Sequence, residues 1–520
     1  MEAQTGHPRR WPILGVLVFS LLAVVLDNTI LNVALKTIAD PRHGLGATQS
    51  ELEWAINSYT LVFAGLLFTF GVVGDRTGRR RMLLVGMALF GLSSLASAYA
   101  QDPAQLIVAR AFMGIGGAAI MPATLAIISN VFPPKERGRA IGVWAAGVGL
   151  AVAVGPITGG LLIEHFWWGS VFLINVPVVA ISVVLIALVV PESRDPKPSR
   201  LDPVGVVLSI IGLVAVTYGI IRGGELATIA SPQVLVPLLG GLVVLAVFAW
   251  YERRIDHPAF DVTYFRDVRF SIAIGMVGIV FFAMMGTMFF LAFYLQTVLG
   301  FSALESGVLM IPFAAAQLIF APLSQRVAIR FGGKASAGVS MVVVALMIGA
   351  YALMDEHTPI PVMVVLFFIQ GAAMANIMPP ATTAIMNALP REKAGVGSAM
   401  SNTVRQVAGA LGVAILGSLL SAVYRDGIAP SLTILPEGVR HAAGESLPAT
   451  MAVAQSLGEA GQALVAPAKA AFVSGMHVTA AASAVIALLG AAMVFRWLPG
   501  KAKAAEPALP QEHEKEPAVV

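Results

Sequence analysis

The sequence predicts an all-α polytopic membrane protein, and three observations carry that reading. Of its 520 residues, 57% are hydrophobic and only 12% charged, with a mean hydropathy of +0.83; soluble chains of ordinary composition carry about 25% charged residues. Apolar runs of roughly 20 residues, each long enough to cross a bilayer as a helix, recur from one end of the chain to the other. The basic residues, finally, gather in short segments between those runs.

Taken in order, the runs define fourteen expected spans, at about 12–36, 54–74, 82–100, 105–128, 139–162, 170–190, 203–221, 234–251, 270–296, 303–324, 335–354, 360–387, 397–423 and 474–497. An even count puts both termini on one side. Segments on that side hold 25 of the 33 lysines and arginines, those on the other side hold 6, and Arg110 and Arg405 fall within spans. Such asymmetry marks the side of the termini as cytoplasmic, and it explains a pI near 9.3 without any role in nucleic-acid binding. The N-terminal MEAQTGHPRR leads into an apolar run too long for a signal-peptide core, so an uncleaved first span is expected. Residues 424–473, rich in Ala, Ser and Gly, are expected to form a long external loop with a helical piece around 448–471. The polar tail 501–520 is expected to be disordered.

The composition also excludes chemistry. With no cysteine there is no disulfide or thiol chemistry. The sequence contains no H-E-x-x-H, no G-x-S-x-G and no complete G-x-x-x-x-G-K-[ST], so neither an enzyme nor an ATP-driven pump is expected.

An internal repeat organises the spans. MPATLAIISNVFPPKERG at 121–138 and MPPATTAIMNALPREKAG at 378–395 share Met, Pro, Ile, Asn and Pro at an offset of 257, each ending a span and opening a basic loop. GVVGDRTGRRRM at 71–82 has a weaker echo in APLSQRVAIRFGGKAS at 321–336. The expected organisation is a six-helix half over 12–190, two linker helices over 203–251 and a second six-helix half over 270–497. Two duplicated halves with a site between them suit alternating access.

Several motifs carry chemistry. In the 71–82 loop, Gly71, Asp75, Arg76, Gly78, Arg79 and Arg80 combine a tight turn with a carboxylate near the start of the third span and a run of arginines facing anionic lipid. In the fifth span Gly147, Ala151, Gly155 and Gly159 recur at i+4, a stripe that lets helices pack closely, and Pro156 bends the helix within it. Arg110, Gly114 and Ala118 share a face of the fourth span, as Arg405, Gly409 and Gly417 do in the thirteenth.

Together these motifs resemble the major facilitator superfamily, and within it the fourteen-span branch of drug:proton antiporters that contains quaternary-ammonium and multidrug exporters. LDNTILNVAL resembles that branch's first-helix signature, GVVGDRTGRRR the superfamily's loop motif, ARAFMGIGGA the fourth-helix motif that carries an arginine, GPITGG the antiporter motif of the fifth helix, and FLINVP a segment typical of the branch. Trp168-Gly169-Ser170 departs from the usual Trp-Arg-Trp. The resemblance implies a bacterial cell-membrane exporter driven by the proton gradient, without a cofactor, acting as a monomer on small lipophilic or cationic substrates. It ties Gly155, Pro156, Gly159 and Gly160 to export, and Asp27 and Arg110 to proton coupling. Export of an endogenous product such as an antibiotic, lipid or siderophore is the alternative.

Asp27 stands out on physical grounds alone. It is the one acidic residue well inside an expected span; Glu53, Glu164 and Glu305 lie at span ends. A mid-membrane charge costs roughly 2.5–3.5 kcal/mol on insertion scales and usually marks an ion or substrate path. Its place along the first span predicts a position in the outer half of the membrane, facing a cavity reachable from outside, with Arg110 able to switch it. Cavity walls are expected from Asn28, Asn32, Tyr59, Gln296, Gln317, Asn376 and Gln406, and from Phe281, Phe282, Met285 and Phe289. Asn402 and Gln406 stand in the thirteenth span where relatives that export dications carry acids, which makes divalent cations doubtful substrates.

Overall fold

The computed structural model describes residues 7–194, 201–226, 228, 230–255, 262–387, 394–433, 435 and 437–498. No strand occurs among them. The long helices are α1 Arg10–Ala39, α2 Gln49–Thr77, α3 Arg79–Ala98, α4 Pro103–Val131, α5 Pro134–His165, α6 Ser170–Val189, α7 Pro203–Leu226, α8 Pro232–Glu252, α9 Val268–Val298, α10 Ala303–Leu309 continued by Ile311–Phe331, α11 Gly333–Leu353, α12 Ile360–Thr382, α13 Ala394–Leu432 and α14 Gln462–Trp497. Among the described residues twelve helices are long and apolar enough to cross a membrane, and thirteen if α2, bent by 53°, is one span. The expected fourteen is one more than this. The remaining long helix is α5, many of whose side chains lie outside the described residues. The tail 501–520 and the basic-Glu-basic trio at 391–393 also lie outside them.

Short polar signals set the helix ends. At the start of α2, Thr48 and Glu51 form a capping box, and at the start of α10 Ser302 and Glu305 form another. The far ends of the same two helices stop at Gly78 and Gly332, with φ of 123° and 90°, which side chains with a Cβ rarely adopt. Thr48 and Ser302, and Gly78 and Gly332, are each 254 residues apart, so the duplication survives in the punctuation of these helices more clearly than in their apolar residues.

Glycines then fix which helices touch. Gly147, Gly155 and Gly159 of α5 pack on Val18, Thr29 and Ile30 of α1. In the later helices Gly409 and Gly412 of α13 pack on Met285 and Phe282 of α9. Helix α7 lies along the seam between α2 and α13: Ile210 faces Gly65, Ser418 Oγ donates to the Ile220 carbonyl at 3.2 Å, and Arg425 donates to the Gly224 and Glu225 carbonyls. Helix α8 packs on α7 and presents Val236 and Val243, 70% and 61% exposed, as bilayer-facing surface.

In the segment 424–473 helix is present where a piece around 448–471 is expected, but the long external loop is much shorter than expected. Helix α13 continues to Leu432, and α14 begins at Gln462 rather than near 474. Between them lie two short helices, Glu437–Gly444 and Leu447–Ser456, held by the Tyr424–Thr450 hydroxyl hydrogen bond at 2.5 Å. The Ala-rich composition that argued for a loop is equally good helix-forming sequence, and apolar side chains such as Leu447 and Ala454 are buried.

The two halves meet at the end of the bundle reached by the C-terminus of α1, called the distal end below. Gln296 sits in a π turn, Tyr294–Val298, that closes α9. Its side chain donates to the Val33 carbonyl at 2.9 Å, and its own carbonyl accepts from Lys36 Nζ at 2.5 Å. Across the α5–α10 seam Gly160 rests on Ala303 and Leu304, and Gly307 rests on Pro156. Across the α2–α13 seam Glu53 lies over Gly417. All of these residues lie toward the distal ends of their helices, so the bundle is closed there.

Candidate functional site

Helix α4 approaches α2 so closely because Gly114 and Gly117 face Tyr59 and Phe63: a Cβ at Gly114 would lie 3.3 Å from the Phe63 nitrogen. That approach carries Arg110 across α2 to α1. Its guanidinium donates Nε–H to the Ala55 carbonyl at 3.0 Å, pairs with the Asp27 carboxylate, and lies over the Tyr59 ring with 4.5 Å to the centroid. The other Asp27 oxygen accepts from Asn175 Nδ2 at 3.2 Å. Asn175 also donates to Ser94 Oγ at 3.1 Å, and Ser94 donates to the Phe172 carbonyl at 2.8 Å. Asp27 and Arg110 are each 1% exposed.

This geometry changes one expectation. Asp27 lies toward the distal half of α1, but it faces α2, α4 and α6 inside the first half rather than an open cavity. The reason is coordination: Arg110 and Asn175 supply the donors that water would otherwise have supplied. A sealed pair of this kind is costly to assemble and more costly to break from one side, because removing either partner leaves a buried charge.

Other expected residues separate. Asn28 donates to the Tyr59 hydroxyl at 3.2 Å, so both belong to the surroundings of the pair, with Tyr59 fully buried. Asn32 donates to the Asn28 carbonyl along its own helix. Gln296 serves the distal contact rather than a cavity wall. Asn376 donates to the Ala372 carbonyl at the break in α12. Phe281 and Phe282 are partly buried on α9, as Gln317 is on α10 and Gln406 on α13. Within the small-residue motif, Gly155 and Gly159 face α1, whereas Pro156 and Gly160 face α10 across the seam. The motif thus serves packing within the first half on one face and contact between halves on the other.

The 71–82 loop holds together as a clamp. Arg79 Nε pairs with Asp75 at 2.8 Å. The backbone N–H of Arg79 donates to the Ser193 carbonyl at 2.9 Å, that of Arg80 donates to Glu192 at 3.1 Å, and the Arg80 guanidinium reaches the Ala187 carbonyl at 2.8 Å. A Cβ at Gly78 would lie 2.7 Å from Glu192 Oε1, in a backbone conformation already unfavourable for it. Gly78→Ala is expected to destabilise the protein by about 1–3 kcal/mol, read as a lowered thermal midpoint in detergent. Gly240→Ala, where a Cβ would meet nothing within 4 Å, should leave that midpoint unchanged.

Two residues escaped the sequence reading. Asn175 sits inside FLINVP, and an asparagine in an otherwise apolar segment was the available signal. Glu53 was placed at a span end; it is 1% exposed, because α7 and α13 cover it.

A long-helix bundle with a buried acid–arginine pair and two seams closed at one end defines a class, that of multi-pass membrane transporters. Residues 17–413 match the Major Facilitator Superfamily, and the chain belongs to that family. It is 34% identical over 490 residues to the multidrug efflux pump LfrA of Mycolicibacterium smegmatis, covering 94% of this chain and 96% of the relative. It is 33% identical over 496 residues to the methyl viologen resistance protein SmvA of Salmonella typhimurium, covering 94% and 98%. With the tetracenomycin C resistance and export protein of Streptomyces glaucescens it shares 32% over 424 residues, covering 80% and 77%. Among solved structures, a bacterial homologue of the human lysosomal transporter Spinster has the same fold, with a TM-score of 0.65 at 20% identity, covering 94% of this chain and 96% of that one.

Proposed function

We propose that this chain exports lipophilic small molecules from bacteria across the inner membrane in exchange for protons, by alternating access. The observation that carries the reading is the sealed Asp27–Arg110 pair, the one buried acid–arginine ion pair among the described residues. The printed activities of the relatives, multidrug efflux and antibiotic resistance or export, agree with it. With the termini cytoplasmic, the distal end is the external face, and the bundle is closed to the outside.

Because Asp27 is enclosed, substrate does not meet it in this conformation. Coupling runs through the helices instead: a proton on Asp27 releases Arg110, and with it the hold of α4 on α1 and α2. One proton entering down 100 mV contributes about 2.3 kcal/mol, enough for roughly a fiftyfold gradient of a neutral substrate. Ethidium efflux from proteoliposomes under an imposed pH gradient tests the reading. Efflux that stops when nigericin collapses the gradient supports it, and efflux indifferent to the gradient refutes it.

Arg405 narrows the substrate. Its guanidinium stacks on Phe281 with 4.6 Å to the ring centroid, and no carboxylate pairs with it among the described residues. We read Arg405 as facing water between the halves, because lipid would not accept a cation at this depth. A lone positive charge disfavours dications and tolerates neutral or singly charged amphiphiles. Arg405→Gln is expected to improve transport of methyl viologen relative to a neutral substrate by roughly a hundredfold, the order for a dication about 10 Å from a unit charge at an effective dielectric near 20. Competition assays with both substrates read that ratio.

A further inference from the structure

The two seams between the halves are built differently at matching positions. Glu53 of α2 and Gly307 of α10 are 254 residues apart, the offset of the helix caps on either side of them. Gly307 makes a backbone contact: a Cβ there would lie 2.7 Å from the Pro156 carbonyl carbon. Glu53 puts a carboxyl group into the corresponding seam, where a Cβ at Gly417 would lie 2.7 Å from its carboxyl carbon. Its Oε2 is buried without a hydrogen-bond partner, and so are Gln49 Nε2 one turn before it and both side-chain polar atoms of Asn57 one turn after it. The nearby cation does not complete it. Arg425 of α13 directs its guanidinium to the carbonyls of Ser421, Gly224 and Glu225. The charges that act on Glu53 are Arg425 and Glu225 of α7. Arg222 pairs with Glu225, while Glu445 and Asp426 act on Arg425. An ionised carboxylate without a donor is among the most costly groups to bury, whereas a carboxylic acid fits such a seam.

We propose that Glu53 is a proton-binding site in the α2–α13 seam, loaded as the distal end closes and emptied as it opens. The proposal rests on the alternating-access reading above, but it assigns to Glu53 a proton separate from the one on Asp27. Closure takes up a proton, so acid on the distal side favours the closed form, and the open-to-closed ratio changes by at most about tenfold per pH unit for one proton.

The natural absence of cysteine allows spin labels to be placed through Arg42→Cys and His357→Cys, on distal loops of opposite halves. Electron–electron distance measurements at pH 5.5 and 8, in an Asp27→Asn, Arg110→Gln background that removes that site's own titration without stranding a charge, read the open fraction. The expected result is a long-distance component that grows with pH, disappears in Glu53→Gln and Glu53→Met, and persists in Glu53→Asp. An unchanged pH response in both neutral variants, or no pH response with Glu53 intact, overturns the proposal. If Glu53-dependent opening is seen while no substrate moves under a gradient, the seam site stands and the exporter reading fails.

Discussion

Asp27→Asn is expected to lower stability by about 3–5 kcal/mol, more than a surface charge removal would, because it strands Arg110 in a site that is 1% exposed. Arg110→Gln should cost a similar amount by stranding the carboxylate. The double variant Asp27→Asn with Arg110→Gln should be more stable than either single variant, since two neutral amides leave no unpaired charge. Thermal unfolding of the purified proteins in detergent gives the three values. Additive losses would show that the two residues act independently and that the ion pair is not the unit that matters.

Gly160→Val is expected to hold the distal end open. A Cβ at Gly160 would come within 2.7 Å of the Ala303 carbonyl oxygen and 2.8 Å of the Leu304 nitrogen. These are backbone atoms that cannot rotate away. Overpacking costs about 1–3 kcal/mol, and here the bundle can avoid that cost by separating at the seam. The open fraction, read with the Arg42 and His357 spin labels, should rise about ten- to a hundredfold. Gly240→Val, on a helix with open space around it, is the matched control and should leave it unchanged. If Gly160→Val also leaves it unchanged, the α5–α10 contact does not limit closure.

The helical bundle was legible because long apolar runs in a membrane protein have one way to satisfy their backbone. That Arg110 acts with Asp27 was expected from the family resemblance of LDNTILNVAL and ARAFMGIGGA, and the structure brings the two into an ion pair. What the sequence did not disclose is enclosure. Asp27 was expected to face an accessible cavity, but Asn175, Ser94 and Tyr59 come from three other helices and close around it. Glu53 was hidden for the same reason: its place near the start of α2 suggests an exposed span end, and only the arrival of α7 and α13 buries it. The small-residue stripe was readable as a packing surface, whereas the division of labour between Gly155 with Gly159 and Pro156 with Gly160 depends on where α10 lands.

The most direct test of proton coupling is substrate-triggered proton release from the purified protein in weakly buffered detergent, followed with a pH-sensitive dye. If proton and transport cycle are coupled at Asp27, ethidium added to wild type should release protons, and the same addition to Asp27→Asn that binds ethidium normally should release none beyond what Glu53 supplies, removed in turn by Glu53→Gln. Equal release from wild type and Asp27→Asn would contradict the role of the Asp27–Arg110 pair.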